Sequence, residues 1–134
     1  MRNYAARRYQ AMDVGAMSGP RLLVLVYSQI VASLKRAQAA VQSRDHAARA
    51  DAICRARDLI HELAATLDRD AGGELADNLL GLYEFFVREL TQIDFRPDAA
   101  RLARIVEMIT TLHQAWAEAA RQSEGDSLPV AINQ

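Results

Sequence analysis

Cys54 is the only cysteine in the chain, which excludes an internal disulfide and fits a reducing compartment. No apolar run approaches the roughly 18 residues that a transmembrane helix needs. The opening MRNYAARRYQ lacks the apolar core of a signal peptide. A cytosolic protein that does not insert into a membrane is therefore expected. Charge of one sign is missing as well: sixteen basic residues against seventeen acidic ones leave a formal charge of -1. Bulk attraction to nucleic acid or to an acidic membrane surface has no source here, and Arg7-Arg8 is too short a basic run to supply one.

Chemistry-bearing patterns are also absent. His46, His61 and His113 are far apart in the chain, and no Glu-x-x-His or His-Glu-x-x-His occurs, so neither the carboxylate-bridged di-iron bundle nor a zinc-protease helix has its ligands. Histidines spaced in this way read as surface or interface residues. Cys54 stands beside Arg55 and Arg57, but no histidine or second cysteine lies at a recognisable spacing. No phosphate-cradling loop, dinucleotide fingerprint or nucleophile elbow appears. The expectation is a protein that is not an enzyme, with no catalytic residue, no metal and no cofactor.

What the chain does contain is helical periodicity. Hydrophobic residues make up 51% of 134 residues and aromatics only 6%, a length and composition that suit one domain built from helices. Apolar positions recur at steps of three and four in four segments. Helix 1 is expected over Pro20–Gln42, with Ser18 as a plausible N-cap. Helix 2 is expected over His46–Leu67, capped by Asp45; helix 3 over Glu74–Ile93; helix 4 over Asp98–Arg121. Short connections at 43–45, 68–73 and 94–97 hold turn and breaker residues. Long helices joined by short loops must run antiparallel to their neighbours. The fold class is therefore all-α, an up-down-up-down four-helix bundle over residues 18–122. Residues 1–17 form an N-terminal segment and residues 123–134 a disordered tail.

Helices 1 and 3 carry more apolar residues than one core stripe uses. Leu23, Val24, Tyr27 and Val31 are surplus on the first, and Leu80, Tyr83, Phe85 and Val87 on the second. Either the core stripe is wide and a few residues are exposed singly, or the surplus forms a second contact face for the N-terminal segment or a partner. Leu79, Leu82, Tyr83 and Phe86 share one side of helix 3, with Asn78 beside them. Asn78 is either a solvated helix position or an amide that bonds an extended partner's backbone. Tyr27 and Tyr83 are either core tyrosines or residues of a half-wet groove edge. Tyr9, Val14 and Met17 are either a disordered leader or a lid on vacant apolar surface. Gly72-Gly73 is read as a structural turn that ends helix 2.

Three local patterns resemble the flagellar secretion chaperone FliS family. Tyr9, Val14, Ser18, Leu22 and Leu25-Val26-Tyr27 are similar to its tyrosine, valine, Ser-Pro-x-x-Leu and Met-Leu-Tyr-Asp pattern. Arg57 to Leu63 and Thr66-Leu67-Asp68 are similar to the end of its second helix. Gly72-Gly73-Glu74-Leu75-Ala76, Asn78-Leu79 and Leu82-Tyr83-Glu84-Phe85 are similar to its most specific segment, Gly-Gly-Glu-Ile-Ala-x-Asn-Leu followed by Leu-Tyr-Asp-Tyr. Trp116 falls where the family tends to place a tryptophan. The chain departs from the pattern at Gly19-Pro20, Ser28-Gln29 and Glu84. The resemblance implies a cytosolic export chaperone that binds the unfolded C-terminal segment of flagellin, prevents premature polymerisation and aids delivery to the flagellar type III export apparatus. It allows export-gate components or flagellar regulators as further partners. It also implies that the N-terminal segment lies over part of the binding surface when flagellin is absent. The expected partner-binding residues are Tyr9, Val14, Leu22, Tyr27, Asn78, Leu79, Leu82, Tyr83 and Phe86. The rival reading, from the apolar surplus alone, is a homodimeric structural or regulatory bundle.

Overall fold

The computed structural model describes the backbone of residues 19–133 and the side chains of residues 19–123. It consists of α1 (Gly19–Ser43), α2 (His46–Ala65), α3 (Arg69–Phe95) and α4 (Ala99–Asn133), with no strand among the described residues. The turns between them are two or three residues long, so consecutive helices that pack together run antiparallel. Arg49, near the start of α2, reaches Asp94, near the end of α3, at 3.2 Å. Arg101, near the start of α4, holds Glu89 of α3 with two nitrogens at 3.2 and 2.8 Å. α1 packs closely on α2 and α4, whereas α3 packs on α2 and less closely on α4. The result is the expected up-down-up-down four-helix bundle.

Aspartate starts three of the helices. Asp45, Asp68 and Asp98 each accept a hydrogen bond at 3.0 Å from the backbone N–H three residues on, satisfying a donor that the first turn would leave orphaned. At the end of α1, Asp45 N–H bonds the Ala40 carbonyl at 2.9 Å and Arg44 N–H bonds the Val41 carbonyl at 3.3 Å. This is a Schellman closure, with Arg44 at φ 58 in the left-handed position that glycine usually takes.

The core follows the sequence period. Val26, Ile30, Leu34 and Ala37 of α1 meet Ile53, Ala56, Leu59, Ile60 and Leu63 of α2. Phe86, Leu90 and Ile93 of α3 and Leu102, Ile105 and Ile109 of α4 complete it, all buried. Ser33 is the one buried polar side chain among the described residues, and it accepts a hydrogen bond from Arg36 at 2.9 Å.

Two boundaries differ from expectation. Gly72-Gly73 does not end the second helix. Thr66 caps α2, the chain turns at residues 66–68, and Asp68 starts α3 before the glycines are reached. Gly73, at φ 55 and ψ -131, then breaks α3 after its first turn. Asp68 captures the Ala71 N–H, so the turn moves upstream of the glycines and their conformational freedom becomes a kink. The second difference is at α4, which runs to Asn133, through the stretch expected as a disordered tail. Gly125 costs only about 1 kcal/mol in a helix that is already nucleated, and so does not by itself end it.

Candidate functional site

Beside the turn between α2 and α3, four helices leave an apolar groove of about 390 Å³. Leu23 comes from the start of α1, Leu63 from the end of α2, Leu67 from the turn after it, Ala71, Gly72, Leu75, Ala76, Leu79 and Tyr83 from α3, and Trp116 from α4. The kink at Gly73 makes this possible. It separates the first turn of α3 from the rest, and Arg69 bridges the break by an ion pair to Asp77 at 2.8 Å. A Cβ on Gly72 would stand 2.8 Å from the Ala76 Cβ, so only glycine lets the two segments approach this closely. Leu75 on the groove wall is 61% exposed, although it stands four residues before Leu79 on the helical period.

The groove floor is a buried aromatic cluster. The hydroxyls of Tyr27 and Tyr83 lie 2.7 Å apart, hydrogen-bonded across the bundle, and the Tyr27 ring is tilted against Trp116 at 6.5 Å. Burial pushes the Tyr27 hydroxyl above its usual range; the hydrogen bond to Tyr83 and the nearby Trp116 oppose that rise. The Trp116 Nε1 is itself buried, with the Tyr27 hydroxyl as its polar neighbour.

A second groove, of about 470 Å³, follows the looser seam between α3 and α4. It is lined by Leu82, Phe86, Arg104, Glu107, Met108, Thr111 and Leu112. The expected stripe on α3 is therefore divided: Leu79 and Tyr83 line the first groove, Leu82 and Phe86 the second.

The expected partner-binding residues take different places. Tyr27, Tyr83 and Phe86 are buried, with exposures of 1%, 3% and 1%. Tyr27 and Tyr83 are thus core tyrosines with satisfied hydroxyls, and Tyr83 and Phe86 reach the grooves only as floor. Leu79 and Leu82 are half-buried on groove walls. Leu22 is half-buried and Asn78 exposed, and neither lines these two grooves. Tyr9 and Val14 lie outside the described residues. Leu23, Leu67, Leu75 and Trp116 are the wall residues that sequence reasoning missed as a set. Their signal was present in the apolar surplus at Leu23 and in the last apolar step of each helix at this end of the bundle.

Among the described residues no group of three or more His, Cys, Asp or Glu side chains could hold a metal ion, and no helix is long and apolar enough to cross a membrane.

Comparison with known proteins shows the family of the chain. The chain is 30% identical over 104 residues to the flagellar secretion chaperone FliS of Salmonella typhimurium, covering 77% of each chain. It is 28% identical over 116 residues to the flagellar secretion chaperone FliS of Campylobacter jejuni, covering 87% of this chain and 91% of the relative. The corresponding protein of Bacillus subtilis is 25% identical over 118 residues, covering 88% and 87%. A model of the family described as flagellar protein FliS matches residues 1–123, and with that span the chain belongs to the FliS family.

Proposed function

We propose that this protein is a non-catalytic export chaperone of the cytosol that binds the unfolded C-terminal segment of flagellin. Holding that segment prevents premature polymerisation and keeps the subunit ready for the flagellar type III export apparatus. The observation that carries the reading is the groove walled by Leu23, Leu67, Leu75, Leu79 and Trp116. It is apolar and open to solvent.

A disordered segment with an amphipathic helix would lay its apolar face in this groove, and its ends would bond polar groups at the rim. Ordering such a ligand costs several kcal/mol, so contacts beyond one groove are needed for useful affinity. The seam between α3 and α4 extends the available apolar surface, through Leu82 and Phe86. The FliS family membership supports the same client, since relatives of this chain are named flagellar secretion chaperones.

Titration calorimetry against a peptide of the C-terminal segment of flagellin from the same organism tests the reading. One-to-one binding with a large negative heat-capacity change is expected, the mark of apolar burial. A folded protein that takes up no peptide at micromolar concentration would overturn it.

A further inference from the structure

We infer, resting on the reading that the client is the C-terminal segment of flagellin, that a notch in the seam between α2 and α3 holds the end of that segment. The notch takes the free carboxylate, with an apolar side chain at or beside the last residue on its floor. Its volume is about 250 Å³, below the roughly 300 Å³ at which pockets for small molecules begin. It has room for a residue and not for a helix. Ile60 and Tyr83 form a buried floor, with half-buried Ala64 and Val87 beside them. Three exposed side chains form the lips, His61 on α2 and Glu84 and Arg88 on α3. The side chains of His61 and Arg88 make no hydrogen bond or ion pair among the described residues.

The notch is open in one direction and closed in the other, the shape that a chain end fits. Tyr83 borders both the notch and the first groove, so a chain leaving the groove passes directly into it. Beyond Arg88, Arg57 of α2 donates to the Thr91 hydroxyl across the seam at 3.0 Å. That bond bars the way to a segment that has to run on. The charges follow the same order. Glu84, at the open end, interacts with the Arg69 cation from the first turn of α3. Arg88, His61 and Arg57 gather at the closed end. A carboxylate there gains charge-assisted hydrogen bonds from a guanidinium and another from a His61 ring N–H. Glu84 stands one turn before Arg88, where it faces the backbone N–H groups of the incoming chain. An Asp or Glu side chain in mid-segment brings a carboxylate without an apolar group of its own, on a chain that must continue. A chain end brings both and stops. The client therefore runs parallel to α3, with its C-terminus toward Arg88.

Calorimetry of the full chain against two peptides tests the inference. Both span the C-terminal segment of flagellin from the same organism, one ending in the free carboxylate and the other in an amide. The free-acid peptide should bind more tightly by roughly fivefold or more, as expected of a charge-assisted contact at a partly exposed site. Arg88→Gln should remove that advantage and leave the amide peptide unaffected, so the two changes do not add. A free-acid peptide with extra C-terminal glycines should bind like the amide. Circular dichroism checks that Arg88→Gln stays helical. Equal binding of the acid and amide peptides would overturn the inference and leave the client reading standing. An acid preference insensitive to Arg88→Gln would put the carboxylate outside the notch and overturn it as well. Failure of both peptides to bind would remove the client, and the inference with it.

Discussion

Tyr27 and Tyr83 place their hydroxyls 2.7 Å apart in the buried centre of the bundle, joining α1 to α3, helices that each pack chiefly on α2 and α4. A bond across the bundle fixes the distance between two helices that few other contacts hold. Tyr83→Phe leaves the Tyr27 hydroxyl buried with its partner gone and is expected to cost about 1–3 kcal/mol in urea unfolding. Tyr27→Phe/Tyr83→Phe should cost less than the two single changes added together, because neither hydroxyl is then left buried without the other. A strictly additive double variant would show that the two hydroxyls do not act as a pair.

The raised pKa of Tyr27 predicts the response to alkali. Its cause is burial, which disfavours the phenolate. Below the ordinary tyrosine value of 10.0 the folded and unfolded chains both hold the proton, and its contribution to stability is complete. Above that value the unfolded chain gives up the proton while the folded chain keeps it, so stability falls as pH rises toward the folded-state value. Urea midpoints measured from pH 9 upward should be level and then decline from about pH 10. Tyr27→Phe should decline less steeply over the same interval, and an equal slope would assign the loss to other groups.

Gly73 sits at φ 55 and ψ -131, a conformation that costs a residue with a Cβ about 1–3 kcal/mol. Gly73→Ala should lower stability by that amount and disturb the groove wall built by the first turn of α3. Gly72→Ala meets Ala76 at 2.8 Å and forces the two segments apart. Both variants are expected to reduce uptake of the flagellin peptide, measured by calorimetry. Full affinity with intact stability in Gly73→Ala would mean that the kink is not needed.

Leu75 and Tyr83 line the same groove, but substitution should affect them in opposite ways. Leu75 is 61% exposed, so Leu75→Asp should leave thermal stability almost unchanged and weaken peptide binding by roughly tenfold or more. Tyr83 is 3% exposed, and Tyr83→Asp places a carboxylate in the core, expected to cost about 4 kcal/mol or more and to unfold the bundle. Comparing melting temperature with affinity separates the two roles. A Leu75→Asp variant that binds normally would remove this residue from the contact.

The sequence by itself determined the helices and most of the core. Ile30, Leu34, Ile53, Ile60, Phe86, Leu90, Leu102 and Ile109 were readable because a buried helical stripe repeats every three or four residues, a local property of the chain. Asp45 was readable as a cap for the same reason, since capping depends on a side chain and a backbone donor three residues apart. The division of the α3 stripe between two grooves was not local. Leu75 and Leu79 obey the same period as Leu90, yet Leu75 is exposed and Leu79 only half-buried on a groove wall, because Gly73 breaks the helix just before them and α3 sits loosely on α4. Tyr27 and Tyr83 read equally well as core or groove residues until the fold brought their hydroxyls together. Periodicity states which side of a helix is apolar. Only the packing of the other three helices decides which part of that side is covered, because burial depends on what stands opposite.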